Sequence, residues 1–278
     1  MKSKELRKLI STGKTLIMPD AYDPLSARLI ENSGFKAVQC SGYSFSIVAA
    51  MKKEIDISRQ DNIDITGKIV DAVDLPVMAD AEDGFGSPKV VFETVKMFID
   101  VGAAGLNIED QKLDNDKEIR IINEELMIEK IYAAREAAEA AEIPDFIING
   151  RTDALRSSEN HEESLNIAVE RANIYLNSGA DMAFIPYVET LEEVRILNKE
   201  VKGPISIAAG MPYNINNFSI EDLENIGVAR VSLPTLLIYS SMKSINKSLN
   251  LLKNDDIMGM DENMLYKVDE LNELLRRY

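Results

Sequence analysis

Leu75-Pro76-Val77-Met78-Ala79-Asp80-Ala81-Glu82-Asp83-Gly84-Phe85-Gly86 is a short apolar run that ends in a cluster of carboxylates. Downstream, Val91, Val95, Phe98 and Ile99 recur at the spacing of one helix face, Val101-Gly102 supplies a helix stop, and Gly105-Leu106-Asn107-Ile108 begins another apolar run. The stretch predicts one strand–helix unit. Outward from it the pattern repeats, with strands expected near 15–18, 37–40, 77–79, 105–108, 146–149, 182–185, 205–208 and 230–233. Eight such units in 278 residues predict a single α/β domain, a (β/α)₈ barrel of the TIM type, whose usual length is about 250 residues. The barrel is assigned to residues 1–254. Residues 255–278, with Leu265, Val268, Leu271 and Leu274 at helical spacing, read as an additional C-terminal helical extension. Its apolar stripe needs cover, from its own barrel or from a neighbouring subunit with which it could be exchanged.

Composition narrows the partners. A net charge of −16 argues against nucleic acid and anionic membrane, which both require clustered Lys and Arg. The one cysteine leaves no internal disulfide, and neither a signal-like N-terminus nor a long apolar run is present, so a soluble cytoplasmic protein is expected. Cys40, at a strand end, reads as a small buried hydrophobe. The sole histidine, His161, reads as a solvated residue of a helix first turn.

In this barrel chemistry sits at the C-terminal ends of the strands. The first five strands are followed by acids, hydroxyls and an arginine, whereas strands six to eight are followed mainly by Pro186, Gly210-Met211-Pro212 and Pro234. Catalysis is therefore expected at the first five. Asp80, Glu82 and Glu109 can hold a hard divalent ion, Mg²⁺ or Mn²⁺, directly or through water, and Asp56 could join them. Arg151 offers a planar fork for a carboxylate, and Ser41-Gly42-Tyr43 can present backbone N–H groups to the same anion. The competing reading of Arg151 is an ion pair with Asp153 or Glu109. The expected ligand is a small anionic 2-oxo or 2-hydroxy acid.

Several segments carry a family likeness. Met18-Pro19-Asp20-Ala21-Tyr22-Asp23-Pro24-Leu25-Ser26-Ala27, Cys40-Ser41-Gly42-Tyr43-Ser44, Ala79 to Gly86, Gly105-Leu106-Asn107-Ile108-Glu109-Asp110-Gln111, Asn149-Gly150-Arg151-Thr152-Asp153-Ala154 and Gly227-Val228-Ala229-Arg230-Val231-Ser232-Leu233 resemble the isocitrate lyase/phosphoenolpyruvate mutase superfamily. The likeness covers nearly the whole chain. It implies a Mg²⁺-dependent barrel enzyme that makes or breaks C–C or P–C bonds beside an oxo-carboxylate through an enolate-type intermediate. By position it implies Asp80 as direct metal ligand, Asp56, Glu82 and Glu109 in the inner or water-mediated shell, and Ser41, Gly42, Tyr43 and Arg151 on the carboxylate. Arg151, Tyr43 and Glu109 are the residues expected to act in catalysis. It also implies a homo-oligomer, a dimer of dimers.

One loop departs from the family. Isocitrate and methylisocitrate lyases carry a Lys-Lys-Cys-Gly-His loop after the fourth strand, with a catalytic Cys, and here the segment is Gln111-Lys112-Leu113-Asp114-Asn115-Asp116-Lys117-Glu118. A phosphoenolpyruvate mutase Lys-Thr-Asn-Ser stretch is missing there too. The reading that follows is a lyase or decarboxylase of a small dicarboxylate, such as an oxaloacetate decarboxylase or a methylisocitrate lyase. Its alternatives are a phosphoenolpyruvate or phosphonopyruvate mutase or hydrolase, and a non-catalytic 2-oxo acid-binding barrel. Residues 51–56 and 112–117 are candidate lids whose lysines could meet a second anionic group, against the commoner reading of charged loops as merely solvated.

Overall fold

The computed structural model describes residues 1–53, 56–112, 120–261 and 264–276. Eight strands run as β1 (Leu16–Pro19), β2 (Val38–Gln39), β3 (Val77–Asp80), β4 (Gly105–Glu109), β5 (Ile147–Arg151), β6 (Met182–Ile185), β7 (Ile205–Ala208) and β8 (Arg230–Leu233). All neighbours are parallel, in the order β1-β8-β7-β6-β5-β4-β3-β2. The seam between β1 and β2 is closed by one bridge, Asp20 to Gln39, with the Ala21 N–H donating to the Gln39 carbonyl at 2.9 Å. The result is a nearly closed α/β barrel, as the strand–helix pattern predicts.

Among the described residues eleven α-helices accompany the strands: α1 (Lys2–Ile10), α2 (Pro24–Asn32), α3 (Gly42–Val48), α4 (Arg59–Ala72), α5 (Pro88–Asp100), α6 (Glu124–Ala140), α7 (His161–Asn177), α8 (Leu191–Glu200), α9 (Ile220–Ile226), α10 (Leu236–Lys253) and α11 (Val268–Leu275). Their ends are written in the sequence. Asp23 and Ser26 form a reciprocal capping box around Pro24 at the start of α2, Thr190 and Glu193 do the same for α8, and Gly227 ends α9 in the left-handed region at φ 95°. The face of α5 read from the sequence is the buried one: Val91, Val95 and Phe98 pack in one cluster with Ile131 and Ala134 of α6. Helix α1 plugs the N-terminal end of the barrel, burying Leu6 and Ile10 with Leu16, Ala104 and Ile147. No described helix is long and apolar enough to cross a membrane.

Four strands, β1, β3, β4 and β5, end later than their sequence signal, and the last two extensions matter most. β4 and β5 reach Glu109 and Arg151, which stand opposite one another in the ladder. Polar residues hide a strand end from a reading based on apolar runs. The C-terminal stripe divides: Leu274 is buried where α11 lies on α2, and Arg28 donates to its carbonyl at 2.9 and 3.2 Å, while Leu265, Val268 and Leu271 stay exposed.

Gly105 fixes how closely β4 and β5 approach. A Cβ there would lie 2.6 Å from Ile147 Cβ and 2.7 Å from the Ile147 carbonyl oxygen. Gly105→Ala should cost about 1–3 kcal/mol by overpacking, read as a lower urea midpoint at unchanged slope. An unchanged midpoint would mean that these strands part freely.

Candidate active site

The C-terminal ends of β3 and β4 bring Asp80, Glu82 and Glu109 together, with one carboxylate oxygen from each within 4.8 Å of the others and all three buried. Glu82 reaches the cluster because its backbone takes the left-handed conformation, φ 50°, an unusual state for a residue with a side chain. Backbone donors hold the turn. Asp80 accepts from the N–H of Gly42 at 3.2 Å and of Glu82 at 3.4 Å, Asn62 donates to the Asp80 carbonyl at 3.1 Å, and the Glu109 N–H donates to the Glu82 carbonyl at 2.9 Å. Burial pushes the Asp80 carboxyl above the ordinary aspartate range, against the pull of Arg151 and the two amides. Three gathered carboxylates in a desolvated space are a donor set for a hard divalent cation.

Arg151 faces them. Its guanidinium meets Glu109 at 2.6 Å and grips Asp153 through Nε and one terminal nitrogen at 2.8 and 2.9 Å, with the Phe184 ring 5.7 Å away. The ion pair weighed against a clamp is therefore formed, with both acids. A guanidinium carries five N–H donors, so donors remain for a further anion. Asp153 is oriented from behind by Asp110, which accepts from its N–H at 2.9 Å and also from Thr152 at 2.8 Å, Arg171 at 2.9 Å and Tyr175 at 2.6 Å. This buried layer holds the Arg151–Asp153 turn in place.

A cavity of about 210 Å³ opens over these groups. Ser41, Tyr43, Asp80 and Arg151 line one side. The opposite wall comes from β6, β7 and β8, through Phe184, Pro186, Tyr187, Met211, Tyr213 and Pro234. Restricting the site to the first five strands is thus corrected: the later strands supply its aromatic wall. Proline-flanked aromatics read as packing in a sequence, and the local clues were tyrosines directly after Pro186 and Pro212.

Other expected residues fall as follows. Ser41 is the N-cap position of α3, and the Gly42 amide points at Asp80 rather than into the cavity. A Cβ at Gly42 would run into the Glu82 carboxylate, so the loop approaches the acids as closely as a backbone can. Asp56 is not brought to the triad. It is exposed and accepts the Lys53 N–H at 3.2 Å. Residues 54–55 and 113–119, on which the two lid expectations fall, lie outside the described residues. Asp20 is buried between Ser44 and the Thr235 amide, and burial raises its pKa to about 7. Asp23 caps α2 and Tyr22 pairs with Ser241, so neither joins the acids. Cys40 is buried, and His161 stands in the first turn of α7 with its ring against Glu193.

Sequence reading passed over Arg230. It is wholly buried inside the barrel, donating to Ser206 Oγ at 2.9 Å, to Met18 Sδ at 3.2 Å and to Gln39 Oε1, and desolvation lowers its pKa to about 9. An arginine between apolar strand residues offers no sign of which way it points.

Comparison with known proteins identifies the family of the chain. The phosphoenolpyruvate phosphomutase family profile matches residues 6–253. The chain belongs to that family, within the PEP mutase/isocitrate lyase superfamily. It is 31% identical to 2,3-dimethylmalate lyase of Eubacterium barkeri over 98% of this chain and 93% of that one. It is also 31% identical to 2-methylisocitrate lyase of Escherichia coli K12, covering 98% and 90% of the two chains. Among solved structures, phosphonopyruvate hydrolase with oxalate and Mg²⁺ superposes with a TM-score of 0.87 at 24% identity, over 99% of this chain and 94% of that one, a likeness of fold. Family members are lyases, mutases and hydrolases, and this chain is an enzyme of that group.

Arg151→Lys keeps the charge but cannot hold Glu109, both Asp153 oxygens and a substrate carboxylate at once. Pyruvate binding, titrated calorimetrically with Mg²⁺ present, should weaken by about 1.5–3 kcal/mol. Unchanged affinity would leave Arg151 as a structural ion pair only.

Proposed function

We propose that this enzyme is a Mg²⁺-dependent carbon–carbon lyase that splits a small 2-hydroxy or 2-oxo dicarboxylate beside its carboxylate and releases a 2-oxo acid. The observation that carries the reading is the buried Asp80–Glu82–Glu109 triad, of which Asp80 lines one cavity with Arg151 and Glu109 pairs with that arginine at 2.6 Å. Those three acids would hold Mg²⁺, for which Mn²⁺ is a chemically close substitute. Bound there, the ion would supply Lewis-acid polarisation of the substrate oxygen, an electron sink for the breaking bond. The chain's own residues do the rest. The remaining donors of Arg151 orient the substrate carboxylate, Ser41 and Tyr43 border it, and the aromatic wall keeps water from the reacting carbon. Asp56 enters no step.

Two observations favour carbon over phosphorus. Two relatives at 31% identity across nearly the full chain are named 2,3-dimethylmalate lyase and 2-methylisocitrate lyase, names of substrates without phosphorus. Among the described residues that line the cavity, Arg151 is the only Lys or Arg, a sparse setting for the higher charge of a phosphonate. A phosphonopyruvate mutase or hydrolase is the second reading.

A panel of 2,3-dimethylmalate, 2-methylisocitrate, oxaloacetate and phosphonopyruvate separates them. We expect 2-oxo acid release from one of the carbon substrates, lost with EDTA and restored by Mg²⁺. Conversion of phosphonopyruvate alone, seen by phosphorus NMR, would replace the lyase with the mutase or hydrolase, and no turnover at all would leave an acid-binding barrel.

The same reading includes a cytoplasmic homo-oligomer. Leu265, Val268 and Leu271 are exposed at the C-terminal end, and so are Met242, Ile245, Leu249 and Leu252 on α10, apolar side chains that a second subunit would cover. Deleting residues 255–278 should lower the molar mass measured by light scattering. A full-length monomer would overturn the assembly.

A further inference from the structure

Tyr187 projects from the turn after β6 into the same cavity as Asp80 and Arg151. Its hydroxyl has no hydrogen-bond partner among the described residues. Of the neighbouring phenols, that of Tyr175 donates to Asp110, that of Tyr22 pairs with Ser241 at 2.9 Å, and that of Tyr213 is held as acceptor of the Tyr187 N–H at 3.1 Å. The ring itself is fixed. Arg156 stacks on it with the guanidinium carbon 4.7 Å from the centroid, and the Tyr213 ring packs at 5.7 Å and 45°. The backbone takes φ 66°, a left-handed state that costs free energy for a bulky residue and is sustained here by the Tyr213 hydrogen bond and the stacked guanidinium. A phenol aimed into a cavity by a strained turn, with its hydroxyl uncommitted, is placed to exchange a proton with whatever fills that cavity.

From this geometry we propose that Tyr187 is the general acid of the lyase reaction, delivering its phenolic proton to the carbon that C–C cleavage leaves with the electron pair. The inference rests on the carbon–carbon lyase reading. In the step, the 2-hydroxyl of the substrate loses its proton to solvent and becomes a carbonyl as the adjacent C–C bond breaks. The bonding pair moves to the departing carbon and spreads over its carboxylate, and the Tyr187 O–H bond then breaks to form the new C–H bond. The phenolate regains a proton from water once the products leave. Burial and the carboxylate of Asp153 raise the Tyr187 pKa, with Arg151 opposing, so the group is protonated at neutral pH and enters as donor rather than base. Of the other proton donors at the cavity, the buried Cys40 thiol is raised in pKa by burial and engages Thr66, and Tyr43 is exposed and stands on the side given to the substrate carboxylate, while His161 contacts Glu193 with its side chain more than half exposed.

Tyr187→Phe keeps the ring, the Arg156 stacking and the backbone bond while removing the proton. With whichever of 2,3-dimethylmalate and 2-methylisocitrate the wild type cleaves, kcat should fall by about 10²–10⁴-fold with KM nearly unchanged. Run in D₂O, the wild type should place deuterium on one face of the new C–H carbon and the variant on both. A kcat within threefold of wild type, or a raised KM at constant kcat, would overturn the proposal and leave Tyr187 as a wall residue. Should the variant melt early, 3-fluorotyrosine at position 187 repeats the test in a near-native side chain. A shifted kcat–pH profile supports proton donation and an unshifted one refutes it. If the wild type releases no 2-oxo acid from either compound, this inference is overturned, and if it releases none from oxaloacetate either, the lyase reading falls as well.

Discussion

The Arg151–Glu109 ion pair is the contact on which the site depends. Three carboxylates within 4.8 Å repel one another by on the order of 3 kcal/mol per pair at an effective dielectric of 20. Summed over the triad, that approaches the whole net stability of a domain, about 5–15 kcal/mol. Such a cluster persists only with cations built beside it. Arg151 provides the permanent one, and its position follows from the ladder, where Glu109 and Arg151 are register partners on adjacent parallel strands. The charge is therefore placed by the backbone, before any side chain has chosen a rotamer. Asp153 and Asp110 then lock it from behind, which leaves the triad short of positive charge on its cavity side alone.

The barrel was legible because its signal is redundant. Eight apolar runs, each with an amphipathic partner, leave few other architectures, and the acids after the third and fourth runs land at strand ends as the register demands. What escaped were features set by direction rather than by spacing. Asp56 shares a residue type and a neighbourhood with the triad, yet a local bond from Lys53 holds it outside. Tyr187 enters the cavity only because its φ is positive, and no glycine marked that turn in advance. The Gly42 amide, read as a donor to substrate, is used to support Asp80. In each case a local hydrogen bond or dihedral decided where a suitable group would face.

Arg230 connects the closure of the barrel to its chemistry. β2 contributes only two residues to the sheet, and a single bridge joins it to β1, so backbone pairing is weakest at this seam. From β8, Arg230 reaches Met18 on β1, Gln39 on β2 and Ser206 on β7, tying the seam from inside with side-chain donors. All three acceptors are neutral. The guanidinium is thus a buried cation whose main electrostatic partner is Asp80, which favours its charged form and is itself favoured in ionised form by it. Burying an arginine costs several kcal/mol unless its donors are satisfied and an opposite charge lies near. Here the first condition is met by the strands that need joining and the second by the acid at the mouth of the site. The interior that closes the barrel consequently also biases Asp80 toward the carboxylate that a metal ion requires.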